Sequence, residues 1–158
     1  VINIHALGFE MLEIGERIEG EQSTGRIAHI PNSYVLTKTL RNYTKAFKYI
    51  WDEMKLEITL DSNIKETEEI LYEILFDNET LKEIPKKMED AVDDIILEYR
   101  IYYNNLDPII YKKIVDGHVE LYLRYLVHPK KARNVQDEIY TRILEEYQKG
   151  KIKLIKED

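Results

Sequence analysis

Four histidines, His5, His29, His118 and His128, are the side chains best able to hold a metal or move a proton. None stands at HExxH or another ligand spacing, so the sequence assigns no metal to them. Glu89, Asp90, Asp93 and Asp94 place carboxylates at i, i+4 spacing, which could attract cations. On a helix such spacing also describes a solvated face, and no Asp-x-Asp-x-Asp-Gly loop accompanies it. The only serines are Ser23, Ser33 and Ser62, and neither Gly-x-Ser-x-Gly nor a glycine-rich phosphate loop occurs. Without cysteine there is no thiolate nucleophile, thiolate zinc site or disulfide. No residue can be assigned a catalytic role and no cofactor is implied, so the chain reads as a non-enzyme.

Charge narrows the partners. The 158 residues carry a formal net charge of -7, which gives no chain-wide basic footprint for nucleic acid. Residues 61–100 hold thirteen acidic and five basic groups, a net of -8, so the remainder nets +1. Most of the imbalance belongs to one stretch. Twelve tyrosines and the run Lys130, Lys131, Arg133 could be cast as an RNA-stacking surface. Aromatics at helical and strand spacing more commonly fill cores and interfaces. No window approaches the roughly 18 apolar residues of a spanning helix. The start at Val1 suggests a fragment of a longer chain.

The elements that would position these groups follow from periodicity. Val1, Ile2 and Ile4 begin a strand region, and Phe9, Met11, Leu12 and Ile14 follow a break at Gly8. Gly15 to Gly25 reads as a hairpin tip, and Ile27, Ala28 and Ile30 run into Pro31-Asn32-Ser33, where a strand must end. Asn32 or Ser33 would cap the next segment. Met54, Leu56, Ile58 and Leu60 alternate with polar residues as a half-buried strand. Asn63 and Glu66 form a capping box for a helix bearing Ile64, Thr67, Ile70, Leu71, Ile74 and Leu75. A second helical pattern covers roughly 80–103, with Pro85 in its first turn. Asp116-Gly117 joins two strands within Ile109 to Val127. Val119, Leu121, Leu123 and Tyr125 share one face; His118, Glu120, Tyr122 and Arg124 share the other. A third helix carries Val135, Ile139 and Ile143 and stops at Gly150, and a last strand covers Ile152 to Ile155. The predicted class is α+β. A small β unit over 1–47 precedes a βαββαβ unit over 48–158, with a helical insertion at about 80–106.

The stretch Gly25-Arg-Ile-Ala-His-Ile-Pro31-Asn32-Ser33, followed by Arg41-Asn42-Tyr43-Thr44, resembles the β domain of small-conductance (MscS-type) mechanosensitive channels. The βαββαβ order with its Asp-Gly hairpin resembles that family's ferredoxin-like α/β domain. The β unit would be a partial Sm-like domain lacking its first strands. The resemblance implies a homo-heptamer whose cytoplasmic domains form a cage below the pore. It further implies membrane helices elsewhere in the full-length protein, a place at the inner membrane, ions as the permeant partner and osmotic regulation as the task. On the same basis Pro31, Asn32 and Ser33 would couple this region to the pore helices, and Asp90, Asp93 and Asp94 would shape the cage electrostatics. The alternatives are a stand-alone ligand-binding regulatory module and an RNA-binding module.

Overall fold

Among the described residues, two separate antiparallel sheets and four α-helices with defined bounds make an α+β fold, in the class expected. The computed structural model describes residues 1–14, 23–39, 48–85, 88 and 106–155.

The first sheet has the order β1 (Asn3–Ile4), β2 (Gly8–Ile14), β3 (Ser23–Pro31). Gly8 lies opposite Pro31 and Leu12 opposite Ile27. Beyond Leu12 the pairing jumps, because Ile14 faces Ser23, so two steps on β2 match four on β3. Gly25, at φ 76°, sits in this irregularity, where glycine tolerates the left-handed backbone. Ser23 to Gly25 are therefore strand, not hairpin tip. None of the described residues up to Thr39 is buried. A short helix α1 (Ser33–Thr37) follows.

The second sheet has the order β4 (Ile50–Thr59), β6 (His118–Val127), β5 (Ile109–Val115). Outside β4 lies one antiparallel bridge, Ile58 to Leu154, fixed by Thr59 N–H to Lys153 O at 3.2 Å and Ile155 N–H to Glu57 O at 3.2 Å. With it the order is that of a split βαββαβ unit. The expected final strand is thus reduced to a bridge. Its Ile152 turns into the core instead, at 1% exposure. Leu60 also departs from expectation: it lies past the end of β4 and is exposed.

Alternation on one face of β4 and β6 buries Met54, Leu56, Ile58, Val119, Leu121, Leu123 and Tyr125. Against them pack Leu71, Ile74 and Leu75 of α2 (Ile64–Asp77) and Val135, Ile139 and Ile143 of α4 (Ala132–Gln148). Asn63 caps α2 by accepting from Glu66 N–H at 3.4 Å. The reciprocal bond comes from its own side-chain amide to Glu66 Oε2, at 3.0 Å. The Asp116–Gly117 turn has Gly117 at φ 83°, as a two-residue hairpin demands. Gly150, at φ 76°, follows α4.

The second helical pattern starts as a separate four-residue helix, α3 (Glu79–Lys82). Asn78 caps it, accepting from Thr80 N–H at 3.0 Å and Leu81 N–H at 3.1 Å, while its amide donates to Glu138 at 2.9 Å. Glu83 interrupts it and helical backbone resumes at Ile84–Pro85, so Pro85 sits in a first turn, where its missing N–H is harmless. Ile84 and Met88 are buried as their spacing predicts. The remainder of this pattern, with Asp90, Asp93 and Asp94, lies outside the described residues, as does the Arg41 to Thr44 segment.

Candidate functional site

Two places combine chemistry-bearing residues with defined geometry. The first is the Pro31–Ser33 turn. Proline ends β3 because it cannot donate to a further ladder. Asn32 N–H donates to Leu7 O at 3.0 Å, and its side-chain amide donates to Ala6 O at 3.0 Å. The Asn32 side chain makes no capping bond to α1, so the capping expectation fails for it: the amide is spent on the β1–β2 turn, 26 residues back. Ser33 opens α1 and its carbonyl accepts from Thr37 Oγ1 at 2.8 Å. Gly8 permits this close approach, since a Cβ there would lie 2.6 Å from the Ile30 carbonyl oxygen. Around the turn Leu7, Tyr34, Val35 and Leu36 are exposed. Glu10 of β2 pairs with His5, just past β1, at 3.3 Å and with His29 of β3 at 3.2 Å.

The second place is the face of the second sheet opposite its core. Register sets Glu57 directly across from Glu120, and Thr59 across from His118. Lys55 Nζ lies 2.5 Å from Glu57 and 3.3 Å from Glu120, and Lys113 lies 3.8 Å from Glu120. Tyr122 donates to Glu120 at 2.7 Å. That bond, aided by Lys55, lowers the Glu120 carboxyl below the ordinary carboxylate value, and the same bond, with burial, raises the Tyr122 hydroxyl above its own. Glu120 is nearly buried although it lies on the polar face. His118 Nδ1 lies 3.4 Å from the Asp116 carbonyl, and its Nε2 is buried with no hydrogen-bond partner among the described residues. Glu57, His118 and Glu120 each bring a ligand atom within 4.8 Å of the others. Sequence alternation places His118 and Glu120 on one face; Glu57 lies 61 positions before His118, and only the β4–β6 register joins it to them. Further along the same face Arg124 stacks over Trp51, 4.8 Å from the ring centroid.

No helix among the described residues is long and apolar enough to cross a membrane. No protein-family model matches the sequence, and no curated protein matches it. Solved structures do. The cryo-EM structure of wild-type AtMSL1 aligns over 99% of this chain with a TM-score of 0.62, at 14% sequence identity. This chain spans about half of that one, 46% of its length. At that identity the likeness is one of fold, and the fold is shared with part of AtMSL1, an MscS-type channel.

Proposed function

We propose that this chain is the cytoplasmic part of an MscS-type mechanosensitive channel, with a partial Sm-like β domain over 1–47 and a ferredoxin-like domain over 48–158. The observation that carries the reading is the fold likeness to part of AtMSL1, which covers 99% of this chain. The Pro31-Asn32-Ser33 turn and the unburied first sheet support it, since a sheet with exposed apolar side chains gains from neighbours. In this reading seven copies form a cage below a pore whose helices belong to the full-length protein in the inner membrane. The cage assembles the channel, filters solutes and biases gating; it performs no catalysis. Pro31, Asn32 and Ser33 couple the β domain to the pore helices. Asp90, Asp93 and Asp94, in the stretch of net charge -8, enrich cations near the openings.

Patch recording from membranes carrying the full-length protein tests the reading. A conductance that opens with tension, from a particle of seven copies, is the expected result. A protein that reaches the membrane and passes no tension-activated current refutes it. Changing Asp90, Asp93 and Asp94 to Asn should move reversal potentials toward anion preference in low salt and less so in high salt; unchanged selectivity removes these residues from the permeation path.

A second reading, an RNA-binding module, draws on Trp51, Arg124, Tyr111 and Tyr122 on the polar face of the second sheet. Glu53, Glu57 and Glu120 share that face and oppose a phosphate backbone. Salt-sensitive RNA binding by the chain would favour it.

A further inference from the structure

We propose that Glu57, His118 and Glu120 form a site for one divalent transition-metal ion on the polar face of the second sheet. The inference is independent of the channel reading. It starts from register: the β4–β6 ladder fixes Glu57 and Glu120 as a direct cross-strand pair and sets His118 two residues along the same face. Their ligand atoms lie within 4.8 Å of one another. A tetrahedral site with bonds of about 2.1 Å needs ligand separations of about 3.4 Å. Rotation of two carboxylates closes that gap without moving the backbone.

The histidine supplies the second, separate observation. Its Nδ1 faces the Asp116 carbonyl, which can only accept, so the neutral ring favours the tautomer with the proton on Nδ1 and a lone pair on Nε2. That nitrogen is buried and has no hydrogen-bond partner. A buried polar atom left unsatisfied is costly. An imidazole whose Nδ1–H is held by a carbonyl while Nε2 is free is the arrangement found in metal-ligating histidines. One imidazole and two carboxylates suit Zn²⁺, Co²⁺, Mn²⁺ or Fe²⁺, and three protein ligands leave a position for an exogenous one.

Lys55 is the competitor. Its ammonium bridges Glu57 and Glu120 and neutralises one of their two charges, while Lys113 stands farther off at 3.8 Å. The Lys55 side chain is 47% exposed, so it can swing into solvent when a divalent ion takes its place between the carboxylates. Metal entry is therefore an exchange of one cation for another.

The test titrates the 158-residue chain with Co²⁺ alone, follows the visible absorption of the bound ion, and then displaces it with Zn²⁺. One equivalent per chain is expected. His118→Ala and Glu57→Gln should each weaken binding by about 10–100-fold or more, and Lys55→Met should tighten it. His5→Ala, which alters an exposed histidine paired with Glu10, should leave it unchanged. Two variants of different strands guard against a misfolded one. No binding up to about 1 mM Zn²⁺ overturns the proposal. So does stoichiometric binding that survives in folded His118→Ala or Glu57→Gln. Unchanged or weaker binding in Lys55→Met overturns the exchange on which the site depends.

Discussion

Leu121→Ala should separate the two faces of β6 by a margin large enough to measure. Leu121 is fully buried, opposite Leu56 on β4, while Tyr122 points to the other face. Truncation removes about three methyl or methylene groups, worth about 2.4 kcal/mol at about 0.8 each. The cavity left among Leu71, Ile74, Ile139 and their neighbours adds to this, so a loss of about 3–4 kcal/mol is expected, inside the usual range of about 2–5. With a urea slope of about 2 kcal/mol per molar the midpoint falls by about 1.5–2 M. Tyr122→Ala loses a half-exposed ring and one hydrogen bond to Glu120. It should cost about 1 kcal/mol. Urea titrations of both variants, followed by Trp51 fluorescence, make the comparison. A larger loss at Tyr122 than at Leu121 would refute the register, because a one-residue slip sends every side chain of a strand to the opposite face.

Gly8→Ala should loosen the first sheet, because the new Cβ meets the Ile30 backbone oxygen and β2 must part from β3; faster hydrogen exchange at Asn32 and His5 amides is the readout. Tyr125 is buried beside the Asp52 carboxylate, and burial first, then that charge, push its hydroxyl far above the ordinary tyrosine range. In an alkaline spectrophotometric titration it should stay protonated until the protein unfolds. Tyr125→Phe, which removes the 3.2 Å bond to Asp52, should cost about 1.5–3 kcal/mol in urea. Glu146 is held down at about 2 by Lys149 and then Lys151, against an ordinary 4.5. Its folded value is the lower one, so its contribution is complete above about pH 4.5 and fades as pH falls toward about 2. Glu146→Gln should lower neutral stability and converge with the parent in strong acid; a constant gap across that window would contradict the assignment.

Local patterns with a single wet face were readable. The Val119 to Tyr125 alternation, the Asp116-Gly117 turn and the Asn63-Glu66 cap each depend on residues a few positions apart, and each has its predicted form. What the sequence hid depends on distant partners. Asn32 looks like a helix cap until the Ala6 carbonyl arrives across 26 residues. Ile152 to Ile155 has strand composition, yet its hydrogen bonding amounts to one bridge because Ile152 is drawn into the core. Glu57, His118 and Glu120 become neighbours only once β4 and β6 are in register.

In the proposed assembly the first sheet, with its described side chains all at least partly wet, would make protein concentration a folding variable. The second sheet closes its own hydrophobic core and should unfold at a denaturant midpoint that dilution does not move. Among its described residues the first has no such core, so in the proposed assembly the copies that cover Ile4, Leu7, Leu12 and Ile27 would supply stability by mass action. Each tenfold rise in a covering partner well above its dissociation constant adds about 1.4 kcal/mol. Below that constant the strands β1 to β3 would be what proteases and chaperones meet first. If the chain assembles as proposed, a cell would rid itself of unassembled copies at this sheet while the neighbouring fold stays intact.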